Sequence, residues 1–266
     1  MKVYIITDLE GVAGVVSWDS HQERSSDIKA TEWMTAEIQA AIDGARSGGV
    51  AEIIVAESHK VIIDKLDKDV KLALAGGFSP AYLPGLDETV DGVFIVGQHA
   101  RAGVGKGVLN HTGNSAIFNT YLNGIAVGEL GFEMAYAGSM KVPVILLTGD
   151  AEAIQEAEAL VDNMETVTVK EGINKYQAIS LHPRKARELI REGAKRAVER
   201  INEIKPFVLE TPYEYKVEFT TTQTVSKMCL IPGVRKVDER SIAYTSDNFQ
   251  EIVNMNLLRG YLYDAE

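Results

Sequence analysis

Two acidic side chains with one residue between them follow the first apolar segment of the chain. The apolar run at residues 3–6 leads into TDLEG at residues 7–11, which contains Asp8 and Glu10. Residues i and i+2 of a β-strand point to the same side, so this spacing predicts two neighbouring carboxylates at a strand end. Such carboxylates repel each other, and one protonates unless a cation relieves the repulsion. The pattern predicts that they bind adjacent metal ions, or that one of them bridges two ions.

Two histidines follow later apolar segments in the same way. His59 comes shortly after EIIVA at 52–56, and His99 after GVFIV at 92–96. The reactive crevice of an open α/β sheet lies at the carboxyl ends of its strands, so we expect these side chains to converge on one sheet edge. Imidazole and carboxylate suit zinc or a similar ion at a catalytic site. The single cysteine, Cys229, excludes a thiolate cluster and an intrachain disulfide.

Each of these signals has an ordinary alternative when it is taken alone. An Asp-x-Glu pair at a strand end more often caps a helix or forms an ion pair. A single histidine after a strand is also usually structural. The coincidence of acids and imidazoles at three successive predicted strand ends favours the metal-binding interpretation.

Predicted strands alternate with predicted helices along the part of the chain that positions these residues. This alternation predicts an α/β fold, with a mainly parallel sheet flanked by helices. We expect a metal-site domain over residues 1–163 and a smaller α+β portion, 164–266, packed on it as a second unit or as part of a single domain. The predicted strands are 3–6, 52–56, 92–96, 142–147, 166–170, 213–219 and 240–246, and the predicted helices are 31–47, 151–162, 183–204 and 248–261.

Composition and charge exclude several classes of function. The net charge is −11 and no basic stripe is present, which argues against a nucleic-acid-binding surface. No apolar run approaches the ~20 residues of a membrane span. The chain begins directly with a strand and lacks a cleavable signal pattern, so we expect a cytoplasmic protein without a membrane partner.

Five linked motifs lie in the first ~150 residues: ITDLEG at 6–11, ESH at 57–59, GQHARA at 97–102, LNHT at 109–112 and VGELG at 127–131. With these motifs the chain resembles the zinc-dependent D-aminopeptidases, peptidase family M55. Their order and spacing agree with the pattern of that family, and together they are far more specific than any one of them.

The resemblance implies a binuclear zinc site, with two ions per chain. Its ligands would be Asp8, Glu10, His59, His99 and Glu129, with Asp8 as the bridge between the ions. It also implies that His111 is the catalytic residue, suggested to be a nucleophile. Chemistry alone leaves two further roles open for His111, a general base or a stabiliser of the tetrahedral intermediate.

The resemblance also implies the activity and the assembly. The family removes an N-terminal D-residue, such as D-Ala, from short peptides. The metals would polarise the scissile carbonyl and bind the amino terminus of the peptide. The family forms ring-like homo-oligomers, decamers of stacked pentamers, and we expect the same assembly here.

The chain departs from the family pattern at three places. Ile6 stands where the family has serine, and we expect its side chain to point away from the metals. Glu57 replaces an aspartate, and residues 60–64 lack the two asparagines that follow the histidine in the family. The last change concerns substrate recognition more than metal binding.

A metal-dependent hydrolase of another class, such as a phosphoesterase, is the alternative function. The same set of ligands serves both chemistries. Cleavage of a phosphate ester calls for additional basic side chains at the strand ends, and Arg101 and Lys106 are the two candidates.

Overall fold

The computed structural model describes residues 1–18, 27–75 and 81–262. For residues 27 and 28 it describes the helical backbone alone. Twelve strands and six α-helices lie in these ranges. In chain order they are β1 (Lys2–Thr7), α1 (Asp27–Ser47), β2 (Glu52–Ala56), β3 (Lys71–Ala73), β4 (Gly92–Gln98), β5 (Ile117–Leu122), β6 (Ile125–Val127), α2 (Glu129–Ser139), β7 (Val144–Asp150), α3 (Ala151–Glu158), β8 (Glu165–Asn174), β9 (Gln177–Ser180), α4 (Pro183–Glu199), β10 (Tyr213–Phe219), α5 (Thr222–Met228), β11 (Arg235–Lys236), β12 (Ser241–Ser246) and α6 (Phe249–Leu262).

The main sheet has seven strands in the order β3-β2-β1-β4-β7-β8-β9. Neighbouring strands are parallel except for β8 and β9, which are antiparallel. Every residue of β4 and β7 is buried, as expected for parallel strands that are covered on both faces. The predicted α/β class with a mainly parallel sheet is confirmed.

A second, antiparallel sheet has the strand order β11-β12-β10-β5-β6. It surrounds a smaller core that includes Phe132, Tyr215, Phe219 and Phe249. Most of this sheet comes from the region after residue 210, as the sequence predicts for a smaller α+β portion. Two of its strands, β5 and β6, come from the middle of the chain.

The predicted division at residue 163 stays a prediction. Residues 165–180 form β8 and β9, which extend the main sheet. Helix α4 packs against α1, and its buried residues, such as Ile190, belong to the main core. This part of the predicted second unit is therefore continuous with the core of the first.

No helix in ranges 1–18, 27–75 and 81–262 is long and apolar enough to cross a membrane. The longest, α1, has 21 residues. It includes several charged side chains along its length, among them Glu32, Glu37 and Asp43.

The ends of β1 and β4 approach each other very closely. The backbone N–H of Asp8 donates to Val96 O at 2.9 Å, and that of Gly11 donates to Gly97 O at 2.7 Å. Gly97 has φ +85°, and a Cβ atom there would lie 2.2 Å from Asp8 O. Only glycine combines this left-handed conformation with such a close backbone contact.

Replacement of Gly97 tests whether this contact matters for stability. Gly103 is the matched control, because its φ is also +85° but a Cβ atom there meets nothing within 4 Å. We expect Gly103→Ala to lower the free energy of unfolding by about 1–2 kcal/mol, the cost of the left-handed conformation alone. Gly97→Ala adds a steric overlap and should cost about 2–5 kcal/mol. Urea denaturation measures both variants, and equal losses would contradict the argument.

Candidate metal centre

The strand order places β1 between β2 and β4, so side chains after these three strands meet at one sheet edge. The chain leaves β1 towards Asp8 and Glu10, leaves β2 towards His59 and leaves β4 towards His99. The convergence expected from the sequence is present in the structure. One detail differs, because β1 ends at Thr7 and both acids lie in the turn that follows it.

The first cluster, here called the Asp8 group, consists of Asp8, Glu10 and His59. His59 Nε2 lies 3.0 Å from Asp8 Oδ1 and 3.6 Å from Glu10 Oε2. Both acids are buried, whereas the imidazole is partly exposed. His59 has φ +48°, and its preceding neighbour Ser58 donates a hydrogen bond to Thr7 O at 2.5 Å. These contacts hold the loop after β2 against the end of β1.

The second cluster, here called the Glu129 group, consists of Glu129, His99 and His111. Glu129 Oε1 lies 3.6 Å from His99 Nε2 and 3.5 Å from His111 Nε2. The two imidazole rings are stacked with centroids 4.2 Å apart. Asp8 links the two groups, because its second oxygen, Oδ2, is 3.5 Å from His99 Nε2.

Glu129 is the first residue of α2, and Gly128 precedes it as the N-cap. The backbone N–H of Gly113 donates to Glu129 Oε1 at 2.7 Å. This bond joins the loop that carries His111 to the helix that carries Glu129. The structure therefore brings together all five predicted ligands and the predicted catalytic histidine.

Backbone carbonyls orient two of the imidazoles. His99 Nδ1 is 2.8 Å from Ala100 O, and His111 Nδ1 is 3.0 Å from Leu109 O. A carbonyl oxygen only accepts, so Nδ1 donates and Nε2 keeps its lone pair. A hydrogen bond of this kind commonly fixes the orientation of a metal-binding histidine.

The donor atoms fit zinc. Tetrahedral zinc with bonds of about 2.0–2.1 Å separates any two of its ligands by roughly 3.3 Å. Within the two groups the histidine nitrogens lie 3.0–3.6 Å from the carboxylate oxygens, and all ligand atoms of a group lie within 4.8 Å of one another. Three buried atoms of the centre, Asp8 Oδ2, Glu10 Oε2 and His99 Nε2, have no hydrogen-bond partner. Unpaired buried polar atoms are costly, and bound cations would remove that cost.

The electrostatics of the centre also call for positive charge. Burial and the neighbouring Glu10 raise the pKa of Asp8 to about 7. Burial opposes the charged form of His59, but its hydrogen bond with Asp8 and the nearby acids raise its pKa to about 9. A carboxyl group and an imidazole that both hold their protons more tightly than usual are signs of an uncompensated negative charge.

Two residues that the sequence analysis did not single out support Glu10. Trp18 Nε1 donates to Glu10 Oε1 at 2.6 Å, and its ring meets His111 edge-on with centroids 5.4 Å apart. Lys170 is buried, and its ammonium donates to the backbone oxygens of Glu10, Val12 and Val15. Burial lowers the pKa of Lys170 to about 8. In the sequence, a lysine in a strand of alternating polar and apolar residues gives no indication of this role.

Glu133 is another residue that the sequence analysis did not single out, although its spacing from Glu129 could have indicated it. It follows Glu129 by four residues on α2, and residues with this spacing lie on the same face of a helix. Burial and the charges of Glu129 and Asp8 raise the pKa of Glu133 well above its usual range.

Arg101 and Lys106, the two basic candidates for binding a phosphate ester, do not form a pair of unpaired positive charges at the centre. The backbone N–H of Arg101 donates to Glu156 at 3.1 Å, and the guanidinium lies 3.9 Å from the same carboxylate. Lys106 is exposed. The structure thus adds no support for a phosphate-binding arrangement at these residues.

Comparison with known proteins agrees with the geometry. The family model described as D-aminopeptidase, Peptidase_M55, matches residues 1–258. A D-aminopeptidase of Bacillus subtilis (strain 168) is 32% identical over 244 residues, which is 88% of this chain and 86% of that protein. The solved structure of the Zn-dependent D-aminopeptidase DppA from Bacillus subtilis, a self-compartmentalizing protease, superposes with a TM-score of 0.92 at 28% identity and covers 98% of this chain and 97% of that one. The resemblance indicated by the five sequence motifs is confirmed: the chain belongs to the Peptidase_M55 family of D-aminopeptidases.

Proposed function

We propose that the protein is a zinc-dependent D-aminopeptidase that removes an N-terminal D-residue, such as D-Ala, from short peptides. The observation that carries the proposal is the pair of adjoining ligand groups with three buried, unpartnered ligand atoms. The names of the relatives, D-aminopeptidase and Zn-dependent D-aminopeptidase, give the reaction and the metal.

The proposed ligands are Asp8, Glu10, His59, His99 and Glu129, with two zinc ions per chain. Asp8 is suited to bridge the ions, because one of its oxygens faces His59 and the other faces His99. When bound, zinc supplies Lewis-acid polarisation of the scissile carbonyl and an anchor for the free amino terminus.

His111 is the proposed catalytic residue. Burial and the neighbouring His99 lower its pKa, so the imidazole is neutral at neutral pH. Its unprotonated Nε2 either attacks the carbonyl carbon and displaces the amine of the peptide bond, or takes a proton from the attacking water. The carbonyl oxygen of Leu109 accepts from Nδ1 throughout, and this bond stabilises the imidazolium formed by proton transfer.

Metal content tests the binuclear site directly. Protein purified without chelator is expected to contain about two zinc equivalents per chain by elemental analysis. Glu10→Ala removes one carboxylate and should lower that content sharply, together with hydrolysis of D-Ala-D-Ala. Glu188→Ala is the control, because Glu188 lies on the exposed side of α4 and contacts only Lys185 among the ion pairs described.

Three results would contradict the proposal. The first is protein that lacks zinc and gains neither activity nor stability when zinc is added. The second is a Glu10→Ala variant with its full zinc content. The third is wild-type protein that cleaves a phosphate ester such as p-nitrophenyl phosphate but no D-aminoacyl peptide.

Replacement of His111 separates catalysis from metal binding. His111 also belongs to the Glu129 group, so its geometry alone permits a role as metal ligand or as catalytic residue. We expect His111→Asn to keep its zinc and to lose about 10²–10⁴-fold in kcat, the usual contribution of an acid–base group. Activity close to wild type would exclude a catalytic role, and loss of one zinc equivalent would identify His111 as a ligand.

We also propose that the protein forms a homo-oligomer, and that it is a decamer. The related solved structure is described as a self-compartmentalizing protease. In this chain, the β8–β9 hairpin at one edge of the main sheet exposes Ile173, Tyr176 and Ile179. Exposed apolar side chains on an edge strand favour self-association. A homo-oligomer that encloses its active sites would admit only short peptides.

The mass in solution tests the assembly. Ten chains of 29.1 kDa should give a particle of about 290 kDa by light scattering after gel filtration. A particle with the mass of one chain at micromolar concentration would contradict the proposal. The cytoplasmic location, and the absence of nucleic-acid and membrane partners, stay predictions.

A further inference from the structure

A cavity of about 260 Å³ opens beside the candidate metal centre. The ligands Asp8, His59 and Glu129 form part of its wall, so it adjoins both ligand groups. The cavity lies where the chain leaves β1, β2 and β3, and α2 closes it. Pockets for whole small molecules measure about 300–1,000 Å³, so this one has the size for a single side chain.

Most of the remaining wall is apolar, and three of its residues are alanines. Ile6 lies in it beside Asp8. That its side chain points away from the metals stays a prediction. The other apolar lining residues are Ala56, Ala73, Ala75, Tyr82, Leu83 and Pro84.

Glu133 is one of the residues that line this cavity. The residue is only 9% exposed, and its Oε2 is buried without a hydrogen-bond partner. It belongs to neither ligand group. A buried carboxyl oxygen without a partner costs about 1–3 kcal/mol, so a ligand that donates a hydrogen bond to it would gain that energy.

The charge of the cavity selects the kind of ligand. Besides the three metal ligands, its charged lining residues are Glu57 and Glu133, and the described lining contains neither lysine nor arginine. Glu57 and Glu133 disfavour a side-chain carboxylate, an apolar chain would leave Glu133 unpaired, and an ammonium group would donate to Glu133 and favour its ionised form.

We propose that this cavity receives the side chain of the N-terminal D-residue, and that Glu133 selects a side chain ending in an ammonium group, such as D-lysine or D-ornithine. The inference rests on the proposed function. Asp8, His59 and Glu129 would then adjoin the reacting end of the peptide, and the small alanines would leave room for a long side chain.

Matched dipeptides test the proposal. D-Lys-D-Ala and D-Nle-D-Ala differ only in the terminal amine, and D-Ala-D-Ala serves as the short reference. A charge-assisted hydrogen bond is worth about 1.5–3 kcal/mol, so wild type should prefer D-Lys over D-Nle by roughly 10–100-fold in kcat/KM. Glu133→Gln should reduce this ratio at least tenfold.

Two further variants make the test specific. Glu156→Gln is the control, because Glu156 is also a partly buried carboxyl with a raised pKa but does not line this cavity; it should leave the D-Lys to D-Nle ratio unchanged. Ala73→Leu narrows the cavity from the opposite wall. It should impair both long substrates far more than D-Ala-D-Ala.

Two outcomes would overturn the inference. A D-Lys to D-Nle ratio that changes less than twofold in Glu133→Gln would mean that the side chain does not reach Glu133. An equal loss for all three dipeptides would mean that Glu133 meets the α-ammonium group, which all of them share, or supports the metal centre.

Binding measurements separate this inference from the proposed function. Wild-type protein that cleaves none of the D-dipeptides contradicts the proposed function, whatever Glu133 does. Calorimetric binding of free D-lysine and D-norleucine then decides the role of the cavity. Tighter binding of D-lysine that Glu133→Gln abolishes supports the inference, and equal binding overturns it.

Discussion

The burial of two carboxylates, with a third half-buried beside them and histidines between, is the constraint at one sheet edge on which this structure depends. Asp8 and Glu10 are almost fully buried, and Glu129 adjoins Asp8 through His99. An uncompensated buried charge costs several kcal/mol, so these groups are stable only with positive charge between them. Bound divalent cations would meet this requirement.

Elements far apart in the chain hold that edge in place. Lys170, in β8, donates to three backbone oxygens of the turn that carries Glu10. Helix α2 lies between the two cores, because Leu130 and Met134 pack into the main core while Phe132 and Ala135 pack into the smaller one. Because α2 packs into both cores, the orientation of the helix is fixed, and with it the orientation of Glu129 and Glu133. The second sheet thus supports the centre without supplying a predicted ligand.

Local patterns explain why part of the candidate site could be predicted. Asp8, Glu10, His59 and His99 directly follow apolar segments, and each segment could be identified from its neighbours alone. Glu129 and His111 came only from the resemblance, because an acid in the first turn of a helix and a histidine in a loop are ordinary features. Strands β3, β5, β6, β9 and β11 were not predicted, and all of them except β5 have four residues or fewer, which carry too little periodicity.

The sequence by itself determined the residue types, the α/β class and the family, since these depend on local periodicity and on linear spacing. Only the tertiary structure decided which side chains share a space. The order β2-β1-β4 puts His59 and His99 on either side of Asp8, and strand order depends on packing between distant segments. For the same reason the sequence could not show that Lys170 supports the turn that carries Glu10, that Ile6 lines the cavity, or that Glu133 has a buried oxygen without a partner.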